Sequence, residues 1–180
     1  MTVKKTLIIS TNYGTEADEL TKPIEAMQAA GFETTVATPN GGTIQTLKSD
    51  KELGPEVAAD AKLADVDPTE FAAVVIPGGT LNADTLRMDK DAQRVVKGIA
   101  DAGKTVAAIC HGPWLLINSG LAKGKMLTSY PSLELDLTNA GADWADEEVR
   151  ICQHGGYTLI TSRNPGDLPA FNKAITDELA

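Results

Sequence analysis

The sequence is poor in the residues that many function classes depend on. Its 180 residues include two cysteines and two histidines, and aromatic residues make up 4%. Two distant cysteines without a secretory apolar stretch ahead of them make no disulfide framework. They point to a reducing compartment, so a cytoplasmic location is expected. The opening MTVKKTLIIS carries two lysines and only a few apolar residues before TNYG, too short for a signal peptide. No apolar run reaches the length that spans a bilayer. Positive charge is also short: 16 Lys and Arg against 25 Asp and Glu give a net charge of -9. Such a surface repels phosphate and anionic lipid, which excludes nucleic acid and membranes as partners by bulk charge. Cys110-His111, Cys152 and His154 form no recognised zinc spacing, and neither a metal nor an organic cofactor is expected.

Apolar residues at 42% and charged residues at 23% fit a globular chain, and the length fits one domain over residues 1–180. The pattern alternates between short β-branched runs and helical periodicity. Strands are predicted over Val3–Ser10, Phe32–Thr38, Ala72–Ile76 and Thr105–Ile109. Between them, Thr15-Glu16-Ala17-Asp18 fits a capping box, and Leu20, Ile24, Met27 and Ala30 recur at helical spacing up to Gly31. Further helices are predicted over Lys90–Ala102 and His111–Ser119, and over Asp167–Leu179 with Asp167 as the cap. Val149–Gln153 and Tyr157–Ser162 read as an antiparallel hairpin, and Gly42–Asp67 as a short strand pair with a turn of helix. Strand–helix alternation at this spacing implies βαβ units: an α/β fold with a mainly parallel sheet and helices on both faces.

Ligands in such sheets sit beyond the carboxyl ends of the strands, where Thr11–Thr15, Pro77–Asn82 and Cys110-His111-Gly112 should converge. Ala108-Ile109-Cys110-His111-Gly112 is similar to the strand–turn–helix elbow that exposes a nucleophile, with Cys in place of Ser. A lone Cys at the end of a buried strand is often only a small core residue. The flanking His-Gly-Pro turn favours a reactive thiol, with backbone N–H groups and the helix dipole favouring thiolate. Glu16 falls beside that elbow and is the candidate acid, although Asp18 and Glu19 serve equally well as first-turn acids. Gly78 and Gly79 allow close backbone approach and, with the His111 N–H, form a candidate oxyanion site. Tyr13 and Tyr130 lie near strand ends and are candidate site-lining residues. Trp114 and Trp144 read more simply as packing.

Taken together, these stretches resemble the protease-I (PfpI/ThiJ) family of the class I glutamine amidotransferase-like superfamily. The resemblance is carried by Glu16 with Asp18-Glu19-Leu20, by Val75-Ile76-Pro77-Gly78-Gly79, and by Ala108-Ile109-Cys110-His111-Gly112-Pro113-Trp114. It continues through TSYPSLELDLTNAGADWADEEV (128–149) and SRNPGDLPAF (162–171). It implies a flavodoxin-like three-layer α/β/α sandwich and a homodimer or a larger ring of dimers. Cys110 would be the nucleophile, Glu16 its acid partner and His111 the adjacent base, with Gly78, Gly79 and the His111 N–H at the oxyanion. Asp84 is the counterpart of the acid that a neighbouring subunit supplies in protease members. The amidotransferase branch is disfavoured, because the late His154 is followed by Gly155-Gly156-Tyr157 with no carboxylate beside it. The implied activity is that of a stress-response cysteine hydrolase, deglycase or glyoxalase-III-like, working on glycation adducts or dicarbonyls without a cofactor. Intracellular peptide hydrolysis and a redox sensor or holdase built on Cys110 are the alternatives.

Overall fold

Short runs of β-branched and small apolar residues form the buried strands, and the computed structural model, which describes residues 3–180, orders them into a doubly wound sheet. The first half of the chain holds β1 (Lys5–Ile9), β2 (Tyr13–Glu16), β3 (Glu33–Thr38), β4 (Gly42–Lys48), β5 (Glu52–Ala59), β6 (Ala61–Lys62) and β7 (Ala73–Ile76). The second half holds β8 (Thr105–Ile109), β9 (Met126–Leu127), β10 (Asp143–Trp144), β11 (Val149–Cys152) and β12 (Leu159–Ser162). The α-helices are α1 (Ala17–Ala29), α2 (Thr80–Leu86), α3 (Lys90–Asp101), α4 (Trp114–Asn118), α5 (Glu134–Asn139) and α6 (Leu168–Leu179).

Seven strands make the main sheet in the order β11-β12-β8-β7-β1-β3-β6, parallel throughout except where β11 joins β12. Its central strands are buried on both faces. Side chains that alternate along them divide between two cores. Leu7, Ile9, Val74, Ile76, Val106 and Ala108 pack with residues of α3, α4 and α5. Ile8, Val75, Ala107 and Ile109 pack on the other face with Leu20 and Met27 of α1 and with Phe171 and Ile175 of α6. This is the expected three-layer α/β/α sandwich. No helix among the described residues is long and apolar enough to cross a membrane.

Several local expectations are corrected. Thr15 does not cap α1: it is the buried third residue of β2, its hydroxyl bonded to Ser10, and Glu16 occupies the N-cap without a side-chain bond to the helix. Asp167 precedes α6 but does not cap it, because its carboxylate is taken by the Arg163 guanidinium at 2.9 and 3.0 Å. The helix after the elbow starts only at Trp114, since His111–Pro113 form the turn. The stretch from Gly42 does hold the expected strand pair and turn of helix, as the β4–β5 hairpin and a 3-10 turn at Leu63–Asp65, and the hairpin joins β2 in a separate three-stranded sheet. Thr80–Asn82, the second half of the Pro77–Asn82 stretch, opens α2.

Phe171 is fully buried between α6 and the sheet. Phe171→Ala should lower unfolding free energy by about 3–5 kcal/mol through lost transfer energy and a residual cavity. Urea denaturation checks this; a loss below about 1 kcal/mol would mean that α6 is not anchored by this ring.

Candidate active site

Parallel pairing of β1, β7 and β8 brings their carboxyl ends to one edge of the sheet, and the loops that leave them meet there. Asn82, fully buried on α2, ties two of them together. Its Oδ1 accepts from the Thr11 N–H at 2.8 Å and its Nδ2 donates to the Gly78 carbonyl at 3.0 Å. The third loop is the elbow. Cys110 adopts φ +62°, a left-handed conformation that a residue with a Cβ holds only when its surroundings impose it. The Cys110 N–H donates to Ser162 at 3.0 Å, and its carbonyl accepts from the Tyr130 N–H at 2.9 Å. Gly112 completes the turn where a Cβ would stand 2.6 Å from the Ile76 carbonyl oxygen. The thiol opens on a cavity of about 310 Å³ whose walls include Glu16, Glu19, Asp50, His111 and Tyr130.

The acid beside the thiol is Glu19, not Glu16. Glu16 ends β2, and its half-exposed side chain turns to the β4–β5 hairpin, where Oε2 accepts from the Ser49 N–H at 2.9 Å. Glu19 lies in the first turn of α1, and helical side chains lean toward the helix N-terminus. Its carboxyl is therefore carried inward to 0% exposure, against Cys110, with Oε2 accepting from the Gly78 N–H at 2.7 Å and Oε1 left without a partner.

Burial sets the charges here. It pushes the Glu19 pKa up to about 8 against the lowering effect of the Gly78 N–H, so this carboxyl is mostly neutral at pH 7. Burial also pushes the Cys110 thiol up, with the Glu19 charge adding to it, while the N–H groups of Gly79 and His111 pull it down. Burial thus works against the expected resting thiolate, and α4, only five residues long, brings little helix dipole to counter it. The two groups titrate as one system.

The His111 ring stands over the thiol, with Nδ1 3.1 Å from Sγ. It stacks on Tyr130 at 4.7 Å and meets Trp114 edge-on at 5.2 Å. Burial lowers its pKa, so the ring is neutral at rest and Nδ1, as the acceptor in the Nε2–H tautomer, is open to the thiol proton. Gly78 has no room for a side chain: a Cβ would lie 2.6 Å from Glu19 Oε2 and 2.8 Å from Cys110 Cβ. Gly79 takes φ +83° against the backbone of β2.

The remaining candidates separate. Tyr130 lines the thiol cavity. Tyr13 instead lines a neighbouring cavity of about 650 Å³ with Leu81 and Met88. Asp84 is exposed on α2 and does not line the thiol cavity. Cys152 is a core residue, and His154 is exposed in the turn after β11. Sequence reasoning missed Asp50, Thr80 and Pro165, all on the cavity wall. The Arg163–Asp167 pair that pins the Pro165 turn was a readable signal, since an Arg four residues before an Asp at a helix start invites pairing.

The chain matches the DJ-1/PfpI family over residues 4–178. It is 42% identical over 170 residues to general stress protein 18 of Bacillus subtilis, covering 94% of each chain. It is 36% identical over 174 residues to protein/nucleic acid deglycase 2 of Escherichia coli, covering 96% of this chain and 95% of that one. Among solved structures it is similar to a two-domain protein of Anabaena variabilis with DJ-1/ThiJ/PfpI-like and ferritin-like domains. The TM-score is 0.88 at 36% identity, over 98% of this chain and 48% of that one.

A carboxyl with pKa near 8 in the folded state and 4.5 in the unfolded one binds its proton more tightly when folded. Stability from this group is full below the unfolded value, falls as pH rises toward 8, and is flat above that. Glu19→Gln should flatten the fall between pH 5 and 8, whose limiting slope for one such group is about 1.4 kcal/mol per unit. Glu16→Gln should leave that fall largely in place. Denaturant midpoints across this range check it; an unchanged slope in Glu19→Gln would show that Glu19 is not the protonated group.

Proposed function

The chain belongs to the DJ-1/PfpI family, and from that membership and its site we propose that it is a cysteine hydrolase of the deglycase or glyoxalase-III type, acting on dicarbonyls such as methylglyoxal or their adducts. The observation that carries this reading is the Cys110–His111–Glu19 set: thiol, neutral base 3.1 Å away, and buried carboxyl on the same sulfur. The names of the stress-protein and deglycase relatives support the same class.

On a dicarbonyl the steps balance without an oxidant. Cys110 Sγ bonds to the aldehyde carbon as its proton passes to His111 Nδ1, and the carbonyl π pair becomes an oxyanion. The N–H groups of Gly79 and His111, which donate to the sulfur at rest, are placed to share that charge. Glu19 protonates the oxygen and, once ionised, takes the proton from the former aldehyde carbon. The hydroxyl proton of the resulting enediolate passes to the neighbouring oxygen and Glu19 returns its proton to the neighbouring carbon, which gives the thioester of a 2-hydroxy acid. Water cleaves the thioester, and the thiol is restored. One carbon is oxidised and its neighbour reduced, so the chemistry calls for no organic cofactor or metal.

Peptide hydrolysis asks for a carboxylate on the His111 ring, which in that reading a neighbouring copy supplies, with Asp84, exposed on α2, as its counterpart. The homodimer or larger ring implied by the resemblance fits the exposed Tyr13, Leu81 and Met88, an apolar face that a second copy of this chain would cover.

Lactate formation from methylglyoxal should be measurable in the native protein and persist with chelator. It should fall by about 10²–10⁴-fold in Glu19→Gln and vanish in Cys110→Ala. Activity should decline above about pH 8, where Glu19 loses its resting proton. No lactate from the unaltered protein would refute the reading.

A further inference from the structure

The turn between β4 and β5 is built from the wrong residues for its shape. Ser49 and Asp50 take φ +54° and +58°, and the Lys51 N–H closes the turn on the Lys48 carbonyl at 3.1 Å. Two successive left-handed residues in a tight hairpin are the setting in which Asn-Gly is favoured, since a Cβ is strained there. Asp in the glycine position is a local cost without a local gain. Strain of this kind concentrates where a side chain is needed for function. The side chain in question reaches the thiol cavity.

There it is fixed rather than free. Asp50 Oδ1 accepts from the Thr80 N–H at 2.9 Å and Oδ2 from the Thr80 hydroxyl at 2.6 Å. Glu16 is held beside it by the Ser49 N–H at 2.9 Å. The cavity wall therefore carries three carboxyl groups, from Glu16, Glu19 and Asp50, and no lysine or arginine. The deep one, Glu19, has an unpartnered oxygen at zero exposure and lies against the thiol. The two outer ones stand at the mouth, and Asp50 acts electrostatically on the His111 ring. The backbone donor at Thr80, which an incoming anion would otherwise use, is already occupied by Asp50.

We propose that Asp50, with Glu16, selects the electrophile by charge. The cavity takes neutral or cationic carbonyl compounds, such as dicarbonyl adducts on amine or guanidine side chains, and rejects those with a carboxylate or phosphate next to the reacting carbon. This rests on the assignment of Cys110 as the nucleophile. Fixed charges at a narrow mouth act over roughly a Debye length, so the selection weakens with salt.

Charged methanethiosulfonates test it without any need for turnover. Each converts the Cys110 thiol to a mixed disulfide as methanesulfinate leaves, and peptide mass spectrometry separates Cys110 from the core Cys152. The rates for the ethyltrimethylammonium and ethylsulfonate reagents, each divided by its rate with a free small thiol, give a cation-to-anion ratio. In the native protein at low salt this ratio should be about tenfold, dropping toward one in about 0.5 M salt. Asp50→Asn, which keeps an acceptor for Thr80, should lower it at least about threefold, and Glu16→Gln added to it further. Asp50→Gly, a second neutral variant with the residue that the turn favours, should lower the ratio to the same extent. A native ratio within about twofold of one, or a ratio that the double substitution leaves unchanged, overturns the proposal. A protein that shows the ratio but forms no lactate would refute the catalytic reading instead, since the two measurements share no step.

Discussion

The hydrogen bond from the Gly78 N–H to Glu19 Oε2, buried against Cys110, is the contact on which the site depends. It joins the start of α1 to the loop after β7 at the point where the elbow of β8 arrives. A glycine is required there because a Cβ on residue 78 would meet the carboxyl, the Cys110 Cβ and the His111 nitrogen at once, at 2.6 to 2.9 Å. One N–H is not enough to keep a fully buried carboxyl ionised. The proton that Glu19 retains is therefore a consequence of packing. It makes the residue an acid at a pH where an exposed glutamate is only a base.

That protonation state changes the meaning of the cysteine. A thiolate at a helix end is the usual picture of a reactive Cys. Here five residues of helix and two backbone donors face a desolvated sulfur beside a carboxyl, and burial works against ionisation. The nucleophile is latent: the thiol ionises as it attacks, when His111 Nδ1 takes the proton and charge passes to the oxygen that the backbone N–H groups stabilise. Tyr130 and Trp114 hold the imidazole in place for that transfer. Asp50 favours the imidazolium that results.

The layers of the fold were legible because period-two burial is a strong signal. β8 begins and ends as its TVAAI run predicts, and a buried strand that stops at Cys-His-Gly-Pro places the elbow. The site was only half legible, for reasons of geometry. Glu16, Asp18 and Glu19 lie within four residues, and which of them turns inward depends on where strand becomes helix. The parallel pairing of β2 with β4 settles that boundary, and it is a long-range contact with no local signature. With Glu16 still in β2, the first inward position of α1 that faces the elbow is Glu19. Tyr13 and Tyr130 posed the same choice, and Tyr13 went to the neighbouring cavity.

Asp50 shows how a departure from local preference can carry information. Gly42–Asp67 reads as a strand pair with a turn of helix, and a tight turn whose two central residues both take positive φ calls for glycine. The sequence supplies Ser-Asp instead, so the hairpin closes in spite of its turn and because of what the turn touches: Glu16 through the Ser49 N–H, and Thr80 through the Asp50 carboxylate. The same bonds that offset the strain hold two negative charges at the mouth of a cavity whose deep carboxyl is neutral. The buried group governs the thiol proton chiefly through its own desolvation, while the exposed pair governs what reaches the sulfur and adds a smaller electrostatic push on Glu19 and His111. A change at the turn can shift substrate choice without disturbing the packing that raises the pKa of Glu19.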